Sequence, residues 1–183
     1  MNDKTLSSKE LSTYWLEEIV IGLNLCPFAR TPYQNGQVRL IENESTLESD
    51  QLSFFLDELE LLQQTQSSEL STTIITFVKD ENDFFDFNDF VGLCEDMIIE
   101  SGLEEHFQLV IFHPQFTFED KDPMDQSHAV GRSPFPTIHI LRNAEIEIAL
   151  ESYSDIIGIS SRNVATINNL SKADFERIFF YLK

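Results

Sequence analysis

The feature that most constrains this chain is the alternation of two kinds of apolar run. "STTIITFVK" (71–79) and "FQLVIFH" (107–113) are short and rich in β-branched and aromatic residues, which suits strands. "TLESDQLSFFLDELELLQQT" (46–65) instead returns Leu52, Phe55, Leu56, Leu59 and Leu62 to one side of a helix. "NDFVGLCEDMIIESG" (88–102) is a second helix, closed by Gly102. With "QVRLIE" (37–42) before them and "PTIHILR" (136–142) after, the order is strand–helix–strand–helix–strand–strand–helix. Strands alternating with helices predict an α/β fold, a compact two- or three-layer sandwich with a small mixed sheet. The order also fits a thioredoxin-like arrangement. "FQLVIFH" is nearly continuous in its apolarity, as an interior strand would be.

The ends add helices. Residues 8–25 form one, with Ser8 capping its first turn and Leu11, Trp15, Ile19 and Leu23 recurring along one face. Pro27 ends it, because proline pushes its predecessor out of the helical region. A short helix follows the last strand over 144–153, and "SSRNVATINNLSKADFERIFFYLK" reads as two more, the second capped by Ser171. A single domain over 1–183 is the economical organisation, with no internal repeat. Residues 114–136 stand apart as a long loop without periodicity, pinned by Phe116, Phe118 and Phe135. Loops of that length are often functional.

Thirty-two acidic residues against 12 basic ones give a net charge of −20. That surface repels phosphate backbones and anionic lipid, so nucleic acid and membrane are not expected partners. Sixteen phenylalanines argue for a folded chain rather than a disordered acidic one. No run is long enough to cross a bilayer, "MNDKTLSSKE" lacks a signal peptide's apolar core, and two cysteines are too few for a disulfide framework. Cytoplasmic residence with reduced thiols is the expectation.

Candidate chemistry gathers in a few places. Cys26, in "NLCPFAR", is a nucleophile, a redox centre, a metal ligand or simply a buried thiol. At a helix exit it faces the negative end of the dipole, and Pro27 has no N–H to offer a thiolate. Cys94 reads as core packing. His113 ends a strand beside the long loop, and His139 shares a strand face with Thr137 and Leu141. Cys26, His113 and His139 would together make a zinc or iron ligand set, though without a local ligand spacing. His128 and His106 have weaker claims. Arg30, Arg132 and Arg162 are suited to holding a small anionic ligand through paired hydrogen bonds, with a histidine as acid or base. "EDKDPMD" (119–125) reads as a solvated acidic turn rather than a cation loop.

The phrases "WLEEIVIGLNLCPFA", "FHPQFTFED" and "GRSPFPTIHILR" resemble domain of unknown function 1415, a bacterial family. The resemblance covers most of the chain and is carried by Cys26, Pro27, Phe28, His113, Pro114, Arg132, Ser133, Pro134, Pro136, His139 and Arg142. Arg162 and Asn163 match the family's Arg-Asn pair. Gly131 departs from the family's asparagine and Phe135 from its tyrosine. The resemblance implies no reaction. It falls on the same residues that chemistry selects.

Two functions follow as expectations. One is a small enzyme acting on an anionic substrate in a cleft, with Cys26, His113 and His139 as catalytic residues and Arg30, Arg132 and Arg162 as substrate-binding ones. The other is a noncatalytic domain that binds a ligand, a metal or a protein. Geometry separates them: covalent catalysis needs Cys26 and the histidines on one side of the sheet. Oligomeric state is left open by both.

Overall fold

The structure, a computed structural model, describes residues 6–80, 83–151 and 158–182. Four strands form one mixed sheet in the order β1-β2-β4-β3. These are β1 (Val38–Asn43), β2 (Thr72–Phe77), β3 (Phe107–Phe112) and β4 (Thr137–Arg142). β1 and β2 run parallel, and β4 is antiparallel to both β2 and β3. The parallel pair is joined by helix α3 (Glu48–Gln64), the crossover that parallel strands require.

The two-residue period of the strands sends side chains to two separate cores. Ile75, Phe77, Ile138 and Ile140 pack with α3 and with α4 (Phe84–Glu100), where Phe55, Leu59, Phe87 and Phe90 are buried. Ile74, with Val38, Leu40 and Phe112 beside it, faces the opposite layer. That layer holds the N-terminal helix, α6 (Gly158–Asn168) and α7 (Lys172–Ile178), through Trp15, Ile19, Ile167 and Phe179. The result is a three-layer sandwich.

The mixed α/β fold appears as expected, and so does the order of its main elements. Several details differ. "FQLVIFH" is not interior: β3 is an edge strand, and His113 lies beyond it. Its apolarity reflects one face on the α4 core and shielding at both ends of the edge. The N–H of Asn143 bonds the carbonyl of His106 at 2.9 Å, so the odd-numbered residues of β3 point their backbone groups outward. Phe107 N–H is taken by Leu103 O at 3.0 Å and His113 N–H by Gly131 O at 3.1 Å. Only the stretch around Leu109 and Ile111 keeps an open edge, which limits edge-to-edge pairing.

The helix expected over 8–25 is shorter and of two kinds. α1 (Ser8–Tyr14) is started by a reciprocal capping box between Ser7 and Glu10, so Ser7 rather than Ser8 is the cap. It then widens into a π-helical stretch, Trp15–Ile21. The chain turns through Asn24, at φ 54°, before Pro27 is reached, so Pro27 does not end this helix. α4 starts before residue 88, because Asp83 accepts from the N–H groups of Phe85 and Asp86. α5 (Asn143–Glu151) follows β4, and its expected continuation to 153 lies outside the described residues. Ser171 caps α7 as expected.

The long loop contains structure that its sequence did not disclose, a 3₁₀ helix at Gln126–Val130. His128 is fully buried there; Phe118 N–H donates to its Nδ1 at 3.0 Å and its Nε2 reaches Asp122 O at 2.8 Å. Phe116 packs edge-on to Phe84 and Phe118. Gly131 lies directly against Phe116, whose Cδ1 would be 2.3 Å from an added Cβ.

Candidate functional site

The turn after the π-helix sets Cys26. Leu25 and Cys26 both donate to Val20 O, at 2.9 and 3.3 Å, and Arg30 returns to Ile21 O at 3.0 Å. From α6, Asn163 donates to Leu25 O at 2.7 Å. Two sequence-distant segments thereby hold the cysteine turn. Pro27 sits in the opening turn that leads into α2 (Arg30–Gln34), a helix absent from the sequence reading. The thiol therefore stands at the start of a new turn as well as at the end of an old one. Burial pushes its pKa up, and the backbone N–H groups of Phe28 and Ala29 pull it partly back. Proline's missing N–H is thus not the whole account, since the next two residues supply donors. Both Cys26 and Cys94 are free thiols, and Cys94 is fully buried in α4 as expected.

The two candidate histidines occupy opposite faces of the sheet. His113 is 1% exposed, with Phe84 and Phe87 of α4 at ring distances of 5.7 and 5.6 Å. Gln115 N–H donates to its Nδ1 at 3.1 Å. His139 pairs across the sheet with Ile74 and Val110, on the face of the N-terminal helix. Its Nε2 lies 2.7 Å from Thr72 Oγ1. Desolvation pushes its pKa down to about 4, so the ring is neutral at ordinary pH. Cys26 is flanked by Leu25 and Ala29 of that same layer. The sheet therefore groups Cys26 with His139 and separates both from His113. Among the described residues no cluster of three or more His, Cys, Asp or Glu side chains could hold a metal ion.

Arg132 has a different setting. It follows the 3₁₀ helix, along which α6 packs. Its Nε donates to Phe116 O at 2.9 Å, and its own carbonyl accepts from the Trp15 indole at 3.1 Å. Desolvation by half-burial lowers its pKa. Among the described residues it makes no ion pair with a carboxylate. Arg30 is exposed, and Arg162 is exposed on α6 next to the inward-reaching Asn163. Through α6 the cysteine turn and the Arg132 segment belong to one layer. Arg142, in contrast, donates to the carbonyls of Leu62, Thr65 and Leu70, closing the end of α3.

In "EDKDPMD", Asp122 and Asp125 accept from the backbone N–H groups of Met124 and Ser127, as a solvated turn does. No helix among the described residues is long and apolar enough to cross a membrane. The profile of the family described as "Protein of unknown function (DUF1415)" matches residues 8–177. No curated protein and no solved structure matches the chain.

Proposed function

Because the chain belongs to the DUF1415 family, which brings no reaction with it, we propose a function from the chain's own geometry. It binds a small anion on the N-terminal-helix face, with Arg132 as the principal cation and Arg30 and Arg162 at the rim. One observation carries this reading. In a chain with 32 acidic residues, Arg132 is half-buried and its side chain engages a backbone carbonyl rather than a carboxylate. A guanidinium in that state retains donors and charge for a ligand. The neutral Cys26 thiol and the division of the histidines between two faces favour binding over covalent catalysis. We place this activity in the cytoplasm, in one domain with reduced thiols.

The enzymatic reading keeps one specific support, since Cys26 and His139 share the face on which the anion would sit. In that case a substrate would lie between Arg132 and His139, with Cys26 beside it. Zinc or iron chemistry through Cys26, His113 and His139 gains no support from the opposed faces.

The test is thermal stability against inorganic phosphate at constant ionic strength. Saturable stabilisation, rising to about 2.7 kcal/mol at a hundredfold excess over Kd, is expected for the wild type and not for R132Q. A shift that follows ionic strength alone, and is equal in R132Q, would remove the reading.

A further inference from the structure

We propose that Thr72 locks His139 in the Nε2–H tautomer, so that His139 offers Nδ1 as a fixed hydrogen-bond acceptor to an O–H or N–H group on the bound anion. The lock rests on one proton. Thr72 Oγ1 lies 2.6 Å from Ile140 O and 2.7 Å from His139 Nε2. A carbonyl can only accept, so the hydroxyl proton goes to Ile140. The hydroxyl must then accept from the histidine, which places the ring proton on Nε2. Thr72 is buried, so water does not offer its hydroxyl an alternative partner.

The two fully buried histidines have already committed the equivalent atom. His113 Nδ1 takes the N–H of Gln115, and His128 Nδ1 takes that of Phe118. Among the described residues, the hydrogen bonds of His139 run through Nε2 alone. Its cross-strand neighbours are Ile74 and Val110, neither of which can occupy Nδ1. Val110, beside it on the edge strand, is 37% exposed, and His139 itself is half-buried rather than sealed. Burial keeps the ring neutral, its pKa pushed down to about 4, and the acceptor persists across the ordinary pH range.

A neutral acceptor adds nothing to the binding of charge, which belongs to the arginine. It distinguishes anions that carry a donor from those that do not, a hydroxy acid from a simple carboxylate. This use of the lock rests on the anion-binding reading, whereas the lock itself does not. Thr72 is on this account a positioning residue.

The experiment is imidazole ¹⁵N NMR on the labelled full chain, with the His139 signals identified by their loss in H139L. The expected result is the Nε2–H pattern at pH 7, retained in T72S and replaced by a tautomer mixture in T72V. An Nδ1–H pattern, or an unchanged pattern in a folded T72V, overturns the lock. Glycolate and acetate then probe the acceptor. Glycolate is expected to bind about fivefold to tenfold more tightly in the wild type, and the two equally in H139L. Equal binding in the wild type overturns the acceptor role and leaves the anion reading standing. Binding of neither, with no binding of phosphate, overturns the anion reading and the acceptor's use together, while the tautomer pattern still decides the lock.

Discussion

The indole N–H of Trp15 donates to the backbone carbonyl of Arg132 at 3.1 Å, across 117 residues of chain. The same indole packs edge-on to Phe112, with ring centroids 5.0 Å apart. Trp15 thus joins the N-terminal helix, the end of β3 and the arginine segment. W15F keeps an aromatic ring but leaves a half-buried carbonyl without this donor. We expect a loss of about 1–3 kcal/mol, measured by urea unfolding, together with weaker phosphate stabilisation. Unfolding and binding both unchanged would show that the bond does not hold the segment.

Arg142 serves stability. It caps the last turn of α3 and lies over the Phe107 ring, 5.6 Å from its centroid. A cation at a helix C-terminus satisfies carbonyls that the helix leaves open. R142M should lower stability by about 2–4 kcal/mol and leave anion binding per folded molecule intact. Lost binding in a stably folded R142M would assign this arginine to the ligand instead.

His139 imposes a pH dependence whose sign is fixed by its depressed pKa. The unfolded chain takes up the proton near pH 6.5, the folded one only near 4. The contribution of the neutral ring is therefore complete above 6.5, declines as pH falls towards 4, and is flat below that. The whole span amounts to at most about 3.4 kcal/mol, and less for a half-buried ring. Asp125 and Asp174 also have lowered pKa values and lose stability in acid, so the measurement is the difference between wild type and H139L. Parallel curves from pH 7 to 4.5 would contradict a buried neutral ring.

Cys26 should react slowly. Burial keeps its thiol protonated at neutral pH, and the thiolate is the reactive form. Mass spectrometry after iodoacetamide treatment at pH 7.5 should show alkylation at least about tenfold slower than free cysteine. Cys94, its thiol pushed up to about 12, should stay unmodified until the protein unfolds. Alkylation of Cys26 at the rate of free cysteine would restore the nucleophile.

Element types were legible because helices and strands here have different periods. Thr72–Phe77 and Thr137–Arg142 were readable as strands to within a residue or two, and the shared face of Thr137, His139 and Leu141 followed from strand geometry. Strand order was not legible, since apolarity does not distinguish an interior strand from an edge strand shielded by Leu103 and Gly131. The π-helical stretch and the 3₁₀ helix were missed because neither has the period of an α-helix. The face of His113 follows from alternation with Leu109 and Ile111, but its being opposite to His139 depends on the β3–β4 register, which apolarity does not give. Thr72 could not be singled out, because its role depends on a partner 67 positions away.

Gly131 and Phe116 form a pair that has to change together. A side chain at 131 would occupy space now filled by the Phe116 ring, while the Gly131 carbonyl stays committed to His113. An asparagine at 131 would therefore require residue 116 to sit elsewhere or be smaller. The two positions are coupled: G131N alone should destabilise the loop, and F116A should relieve it, as a double-mutant cycle by urea unfolding would measure. The loop packs as a matched set rather than as independent positions.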